Sequence, residues 1–217
     1  MKVNSSVSTR DKLAIYMGAL SKMIRGIWYR GRIKGHGILF IGKYVKLMNM
    51  QHIRAGKLVK FEDYAEIQGL SESGVVMGNA VTIGRNVKVR PSSYYGIGHI
   101  GAGMRIGNNS SIGPEGYIGC AGFVDIGDDV MIGPNVTIIA ENHNFKNESQ
   151  TIKSQGVNQK GIIIENNVWI GANVTILDGV TIHEGAIIGA TTLVNKDVPK
   201  NSEYFNKRQI FIKNRGI

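Results

Sequence analysis

Along most of this chain an isoleucine or valine returns every sixth residue. The run Ile164, Ile170, Ile176, Ile182, Ile188, Val194 keeps that spacing strictly, as do Ile100, Ile106, Ile112, Ile118 and then Ile126, Ile132, Ile138. A fainter register joins Ile41, Leu47, Ile53, Val59, Ala65, Ser71, Met77, Ile83 and Val89, and it is weakest at Ser71. Glycine follows the aliphatic residue at Gly84, Gly107, Gly113, Gly127, Gly133 and Gly171, among others, and a small or β-branched residue such as Val87, Val130, Val168 or Val174 stands four places after it. A helix would repeat apolar residues at three and four, and a half-buried strand at two. Six suits one short strand plus one corner, with the aliphatic side chain inward and glycine easing the bend. Three such units close a triangular coil of roughly 18 residues, and stacked coils pair parallel strands around continuous aliphatic columns. The expectation is an all-β solenoid, a parallel β-helix, over residues 37–199.

The interruptions and the ends read differently. Val89 to Ile100 and Ile118 to Ile126 miss the spacing slightly, whereas residues 144–163 lack it altogether. So long an excursion from a regular stack marks a functional or interface-forming loop. Near the start, Ser8 and Asp11 resemble an N-terminal cap, and Leu13, Met17, Leu20, Ile24 and Ile27 or Trp28 then follow at helical spacing up to Gly31. Residues 1–36 therefore form a basic segment with one amphipathic helix. That helix either lids the apolar column at the open end of the solenoid or binds a membrane surface or polyanion, and the lid is the favoured reading. Residues 200–217 form a basic tail without the hexad.

Composition supports a packed protein: 42% of residues are apolar and 19% charged, while 29 glycines against 4 prolines match a repeat built on corners. The single cysteine, Cys120, excludes an intramolecular disulfide framework and a thiolate zinc cluster. With no apolar run of membrane-spanning length and no signal-peptide pattern around Leu13 to Leu20, the expected location is the cytoplasm. The net charge of +10 is lopsided: residues 1–60 hold 13 Lys and Arg against one acid, Asp11, which is +12, and the remainder is −2. Such a field recruits polyanions in a salt-dependent way.

The repeat, the excursion opening on Glu141-Asn142-His143-Asn144-Phe145, and the stretch Asn167-Val168-Trp169-Ile170-Gly171-Ala172-Asn173 resemble the hexapeptide-repeat acyltransferases, nearest to the maltose, galactoside and bacterial surface polysaccharide O-acetyltransferases. The resemblance implies a left-handed coil, although strand sterics alone favour right-handed crossovers. It also implies a homotrimer with an acetyl-CoA site between neighbouring subunits and a saccharide acceptor, and neither a metal nor nucleic acid. Moving an acetyl group from a thioester to a sugar hydroxyl needs a base for the hydroxyl proton and a donor for the developing oxyanion. His143, where the regular wall gives way, matches the family's catalytic histidine and is assigned as general base, with Glu141 or a main-chain carbonyl to fix its tautomer. The same resemblance implies that Trp169 lines the site, that the backbone at Ala172 and Ala190 guides the pantetheine arm, and that Lys196 meets the phosphates of coenzyme A. The chain departs from the family at Ala190-Thr191-Thr192, where Ala-Gly-Ser is usual.

The expected function is acetyl-CoA-dependent O-acetylation of a sugar hydroxyl on a capsular or O-antigen polysaccharide, or its precursor. Peripheral contact with an anionic membrane surface fits the basic first segment. Three rivals stand beside it: sugar N-acetylation, a non-catalytic trimer that binds polyanions, and a zinc enzyme of the γ-class carbonic anhydrase kind using His99, His143 and His183.

Overall fold

The computed structural model describes residue 4 and residues 6–92 and 99–207. Three parallel sheets of seven, eight and seven strands wrap one apolar core, so the chain is a three-sided solenoid. Each strand hydrogen-bonds to its equivalent in the next coil, and the aliphatic residues fall into columns. Ile41, Phe61, Ile83, Ile112, Ile132, Ile170 and Ile188 stack in the second sheet. The strict run Ile164 to Val194 lies at 0–1% exposure throughout.

Coil length differs from the expectation. Spacing of 18 holds only for the last coils, as between Ile164 and Ile182, and earlier coils take 20 or more, 20 between Ile106 and Ile126, 22 between Phe61 and Ile83 and 38 between Ile132 and Ile170. The faint register is displaced as well. Ala55, Phe61 and Ile67 occupy the columns, and Ile53, Val59 and Ala65 sit two residues earlier, also buried. The cause is the 3-10 turn at Met50–His52, which lengthens one corner and shifts the following rungs. Ser71 belongs to no column; it is buried in a corner, its hydroxyl donating to the Gly69 carbonyl. Ile100 is 42% exposed, and the first-sheet column instead passes from Met77 to Ile106.

These departures share one place. From first to second sheet and from second to third, every coil turns at the regular spacing. Between the third sheet and the first, the chain instead runs through 49–52, 69–74, 91–92 and 99–103, 120–123 and 140–161, before the short corner 178–180 closes the regular end. Among the described residues the irregularity is thus gathered along one edge of the prism.

The corner chemistry is also not the one expected. At Gly84, Gly107, Gly113, Gly127, Gly133 and Gly171 φ is not positive. There glycine serves close approach of successive coils: a β-carbon on Gly133 would stand 2.9 Å from the Ala172 nitrogen. The left-handed bend falls on residues such as Asn86, Asn109, Asp129, Asn135, Asn167 and Asn173, with φ near +55°. Asparagine and aspartate tolerate that region because the side chain bonds locally. Here they bond coil to coil, Asn135 Nδ2 donating to Asn173 Oδ1 at 2.6 Å and Asn109 Nδ2 to Asp129 Oδ1 at 2.6 Å.

Helix α1 (Thr9–Arg30) begins at Ser8, whose hydroxyl accepts from the Asp11 amide, and ends at Gly31, as the sequence suggested. It does cover the open end, against the first strand of the second sheet, Leu39–Ile41. The face it uses is the unexpected one. Gly26 is buried so tightly that a β-carbon would fall 2.0 Å from the Leu39 carbonyl oxygen. Arg25 Nε donates to the Ile41 carbonyl at 2.8 Å and Arg30 Nη2 to the Ala55 carbonyl at 3.1 Å. Basic side chains therefore donate to main-chain carbonyls of the first coils, and the apolar stripe Leu13, Met17, Leu20, Ile24, Ile27 and Trp28 faces outward. At the other end Glu203–Tyr204 adds a strand to the second sheet, within the segment read as tail.

Candidate active site

The long excursion leaves the third sheet after the strand Thr137–Ile139 and returns at Ile162–Ile164. It opens at Ala140, before the expected residue 144, and Ile162 and Ile163 already belong to the returning strand. His143 therefore lies inside the excursion. Asn142–His143 pairs antiparallel with Val157–Asn158, placing His143 opposite Val157. Polar bonds hold the rest. The Asn144 amide donates to the Gly156 carbonyl at 3.0 Å, and the side chain of Gln155 bridges the Asn147 amide (3.0 Å) and carbonyl (2.9 Å). At the foot, the Lys160 and Gly161 amides donate to the Asp178 carboxylate at 2.9 and 2.8 Å. A side chain on a hairpin tied down this way has a fixed origin despite its exposure.

The His143 ring is exposed and makes no hydrogen bond to a described residue. Glu141 does not orient it. The Glu141 Oε2 accepts from Gln159 Nε2 at 2.9 Å, which closes the base of the hairpin. Glu141 also borders a depression of about 280 Å³ on the third sheet, shared with Arg90, Ser92, Tyr117 and Ile139. Arg90 is held there by an ion pair with Glu66. A carboxylate, a phenol and a guanidinium converge beside the His143 hairpin, a lining suited to hydroxyl-rich ligands.

The other expected residues stand elsewhere. Trp169 lies on the outer face of the second sheet between Met131 and Ile187, 52% exposed. Ala172 and Ala190 stack in consecutive corners between the second and third sheets, and the Thr191 amide donates to the Ala172 carbonyl at 2.8 Å. A β-carbon on Gly171 would come 2.7 Å from the Ala190 nitrogen, so only small residues fit this ladder. Thr191 takes φ 61°, a conformation in which the family's usual glycine is unstrained. Lys196 is exposed near the last coil, its Nζ 5.9 Å from the Tyr204 ring centre. One chain thus separates His143 from Trp169 and the alanine ladder, which occupy different sides of the prism.

The remaining candidates for chemistry are placed differently from a reactive centre. Cys120 is buried, which pushes its thiol up to about 12 and makes it a poor nucleophile. His183 Nδ1 lies 3.1 Å from Glu165 Oε1 at the corner between first and second sheets, away from the His143 hairpin, and no group of three metal-ligating side chains forms among the described residues. Sequence reasoning missed Gln159, Tyr117 and Arg90. The hexad does place Tyr117 on the outer face, next to inward Ile118, but nothing in the pattern indicates that its face adjoins the excursion.

A six-residue repeat folded into three parallel sheets, with a histidine-bearing hairpin at its one irregular edge, defines a hexapeptide-repeat transferase, and the chain belongs to that family. The family model for bacterial transferase hexapeptide (six repeats) matches residues 161–196. The galactoside O-acetyltransferase of Lactococcus lactis is 32% identical over 161 residues, 72% of this chain and 73% of that protein. The galactoside O-acetyltransferase of Escherichia coli is 39% identical over 120 residues, which cover 55% of this chain and 57% of that one. Among solved structures, a variant of AntD, an N-acyltransferase from Bacillus cereus crystallised with dTDP-4-amino-4,6-dideoxyglucose and coenzyme A, superposes with a TM-score of 0.52 at 15% identity, covering 89% of this chain and 90% of that chain.

Proposed function

We propose that this protein is an acetyl-CoA-dependent O-acetyltransferase acting on a sugar hydroxyl. The observation that carries the reading is His143, exposed on a braced hairpin beside the depression of Arg90, Tyr117 and Glu141. The imidazole takes the proton of the acceptor hydroxyl as its oxygen attacks the thioester carbonyl. Collapse of the tetrahedral species forms the ester and expels the thiolate of coenzyme A, which recovers the proton from the imidazolium. A base so placed contributes about 10²- to 10⁴-fold in rate.

The functional unit is a homotrimer of left-handed coils, in which the His143 side of one subunit meets the Trp169 and alanine-ladder side of the next. Exposed Phe145 and Ile152 on the excursion and Met131 and Trp169 on the second sheet supply the apolar contacts such an interface needs. Trp169 packs on donor or sugar, the corners at Ala172 and Ala190 leave room for the pantetheine arm, and Lys196 neutralises phosphate. In this organisation the solenoid of residues 37–199 carries the site and the basic ends flank it. The +12 of the first 60 residues favours an acidic surface polysaccharide or its precursor as acceptor, in the cytoplasm.

The test is thiol release from acetyl-CoA against a panel of neutral and acidic glycans, with the product then treated with mild base. Release that depends on a glycan, with a base-labile acetyl group in the product, is the expected result. A base-stable amide would replace it with N-acetyl transfer, and absence of release with every acceptor would favour a binding module.

A further inference from the structure

We propose that helix α1 docks the protein on an anionic lipid surface through its outward apolar stripe. Leu13, Met17, Leu20, Ile24, Ile27 and Trp28 are 63, 59, 45, 49, 68 and 78% exposed, on the side of the helix opposite the buried Gly26. A continuous stripe of this kind on an otherwise well-packed molecule marks an interaction site. The helix is not inserted across a membrane, since no helix among the described residues is long and apolar enough to span one.

Charge selects the occupant. The stripe belongs to a segment with 13 Lys and Arg and the single acid Asp11. Exposed Arg10 and Arg32 flank its two ends, and Lys34, Lys43, Lys57 and Lys60 are exposed on the coils beneath. Pairing the stripe with a second copy would bring two +12 segments together, whereas an anionic headgroup layer neutralises them and accepts the apolar side chains and the Trp28 indole at its boundary. Arg25 and Arg30, which in an ordinary amphipathic helix would face headgroups, are instead spent on solenoid carbonyls, fixing the orientation with the stripe outward. Docking would hold the transferase beside saccharides carried on lipid, but its test stands apart from the activity.

The full chain is mixed with vesicles of phosphatidylcholine alone or with one-third phosphatidylglycerol, in about 0.1 M salt, and bound protein is read by flotation. Quenching by acyl-brominated lipid reports the depth of Trp28 in a Trp169→Phe background, which leaves Trp28 as the sole tryptophan. Expected are at least about tenfold stronger partition onto the anionic vesicles, quenched Trp28, and about a tenfold loss for Leu20→Glu/Ile24→Glu with unchanged melting temperature and elution volume. Failure of the wild type to float with anionic vesicles, an unquenched Trp28, or undiminished flotation of the double variant overturns the proposal. Collapse of the native oligomer in the double variant, with a wild type that does not float, assigns the stripe to a second copy instead. Should the double variant fail to fold, Trp28 quenching in the otherwise native protein decides.

Discussion

Two apolar patterns run through this chain, and the structure treats them oppositely. The period-six residues of the solenoid, Ile126, Ile138 or Ile176, are sealed at 0% exposure. The helical-period residues of α1, Leu20, Ile24 or Trp28, are as apolar and are 45–78% exposed. Periodicity reports which side chains share a face. What that face meets is set by geometry: three sheets have no option but to enclose their inner faces, whereas a single helix can lie on either side. Gly26 decides it, because its missing β-carbon lets the backbone of α1 reach Leu39, with Arg25 and Arg30 capping carbonyls around it.

Substitution should separate the two patterns. Ile138→Ala opens a cavity in the column and is expected to cost about 2–5 kcal/mol in chemical denaturation. Next in size is the corner: Asn135→Ala, at φ 56°, should lose about 1–2 kcal/mol, while Asn135→Gly recovers much of it. Equal losses from both would show that the Asn173 hydrogen bond, and not the backbone conformation, sets the cost. Ile24→Ala on the outward stripe should change stability by no more than about 0.5 kcal/mol, and a loss as large as that of Ile138→Ala would mean that the stripe is covered in the folded protein.

The smallest effect concerns Glu165. The Glu184 amide and then the His183 ring hold its carboxyl below the ordinary carboxylate range. A depressed folded value means stability that is complete above the unfolded pKa and lost as pH falls through the folded one. Melting of Glu165→Gln should therefore differ from wild type near neutrality and converge with it at strongly acidic pH. A difference that persists into acid would show that the carboxylate charge is not the cause.

The sheets were legible because the hexad imposes one inward residue per side, and the six matches from Ile164 to Val194 leave no other solution. The early coils were less so. At Ile53, Val59 and Ala65 a second buried position, two residues before the column, mimics the column itself, and a corner insertion slides one onto the other unseen. His143 was legible because it breaks the pattern. Its surroundings were not, since Glu141 and Gln159 meet through the hairpin pairing of Asn142 with Asn158, a contact that no spacing encodes. The convergence of every irregular corner on one edge needed the coil register, which only the strand pairing supplies.

The claim on which the reading depends is that the imidazole of His143 performs the proton transfer. The most direct measurement is steady-state release of coenzyme A by the wild type and by His143→Ala with the glycan that supports release in the acceptor panel, alongside their melting curves. The account predicts kcat lower by about 10²- to 10⁴-fold, with KM for acetyl-CoA and melting temperature essentially unchanged. A kcat for the variant within about twofold of wild type would contradict it.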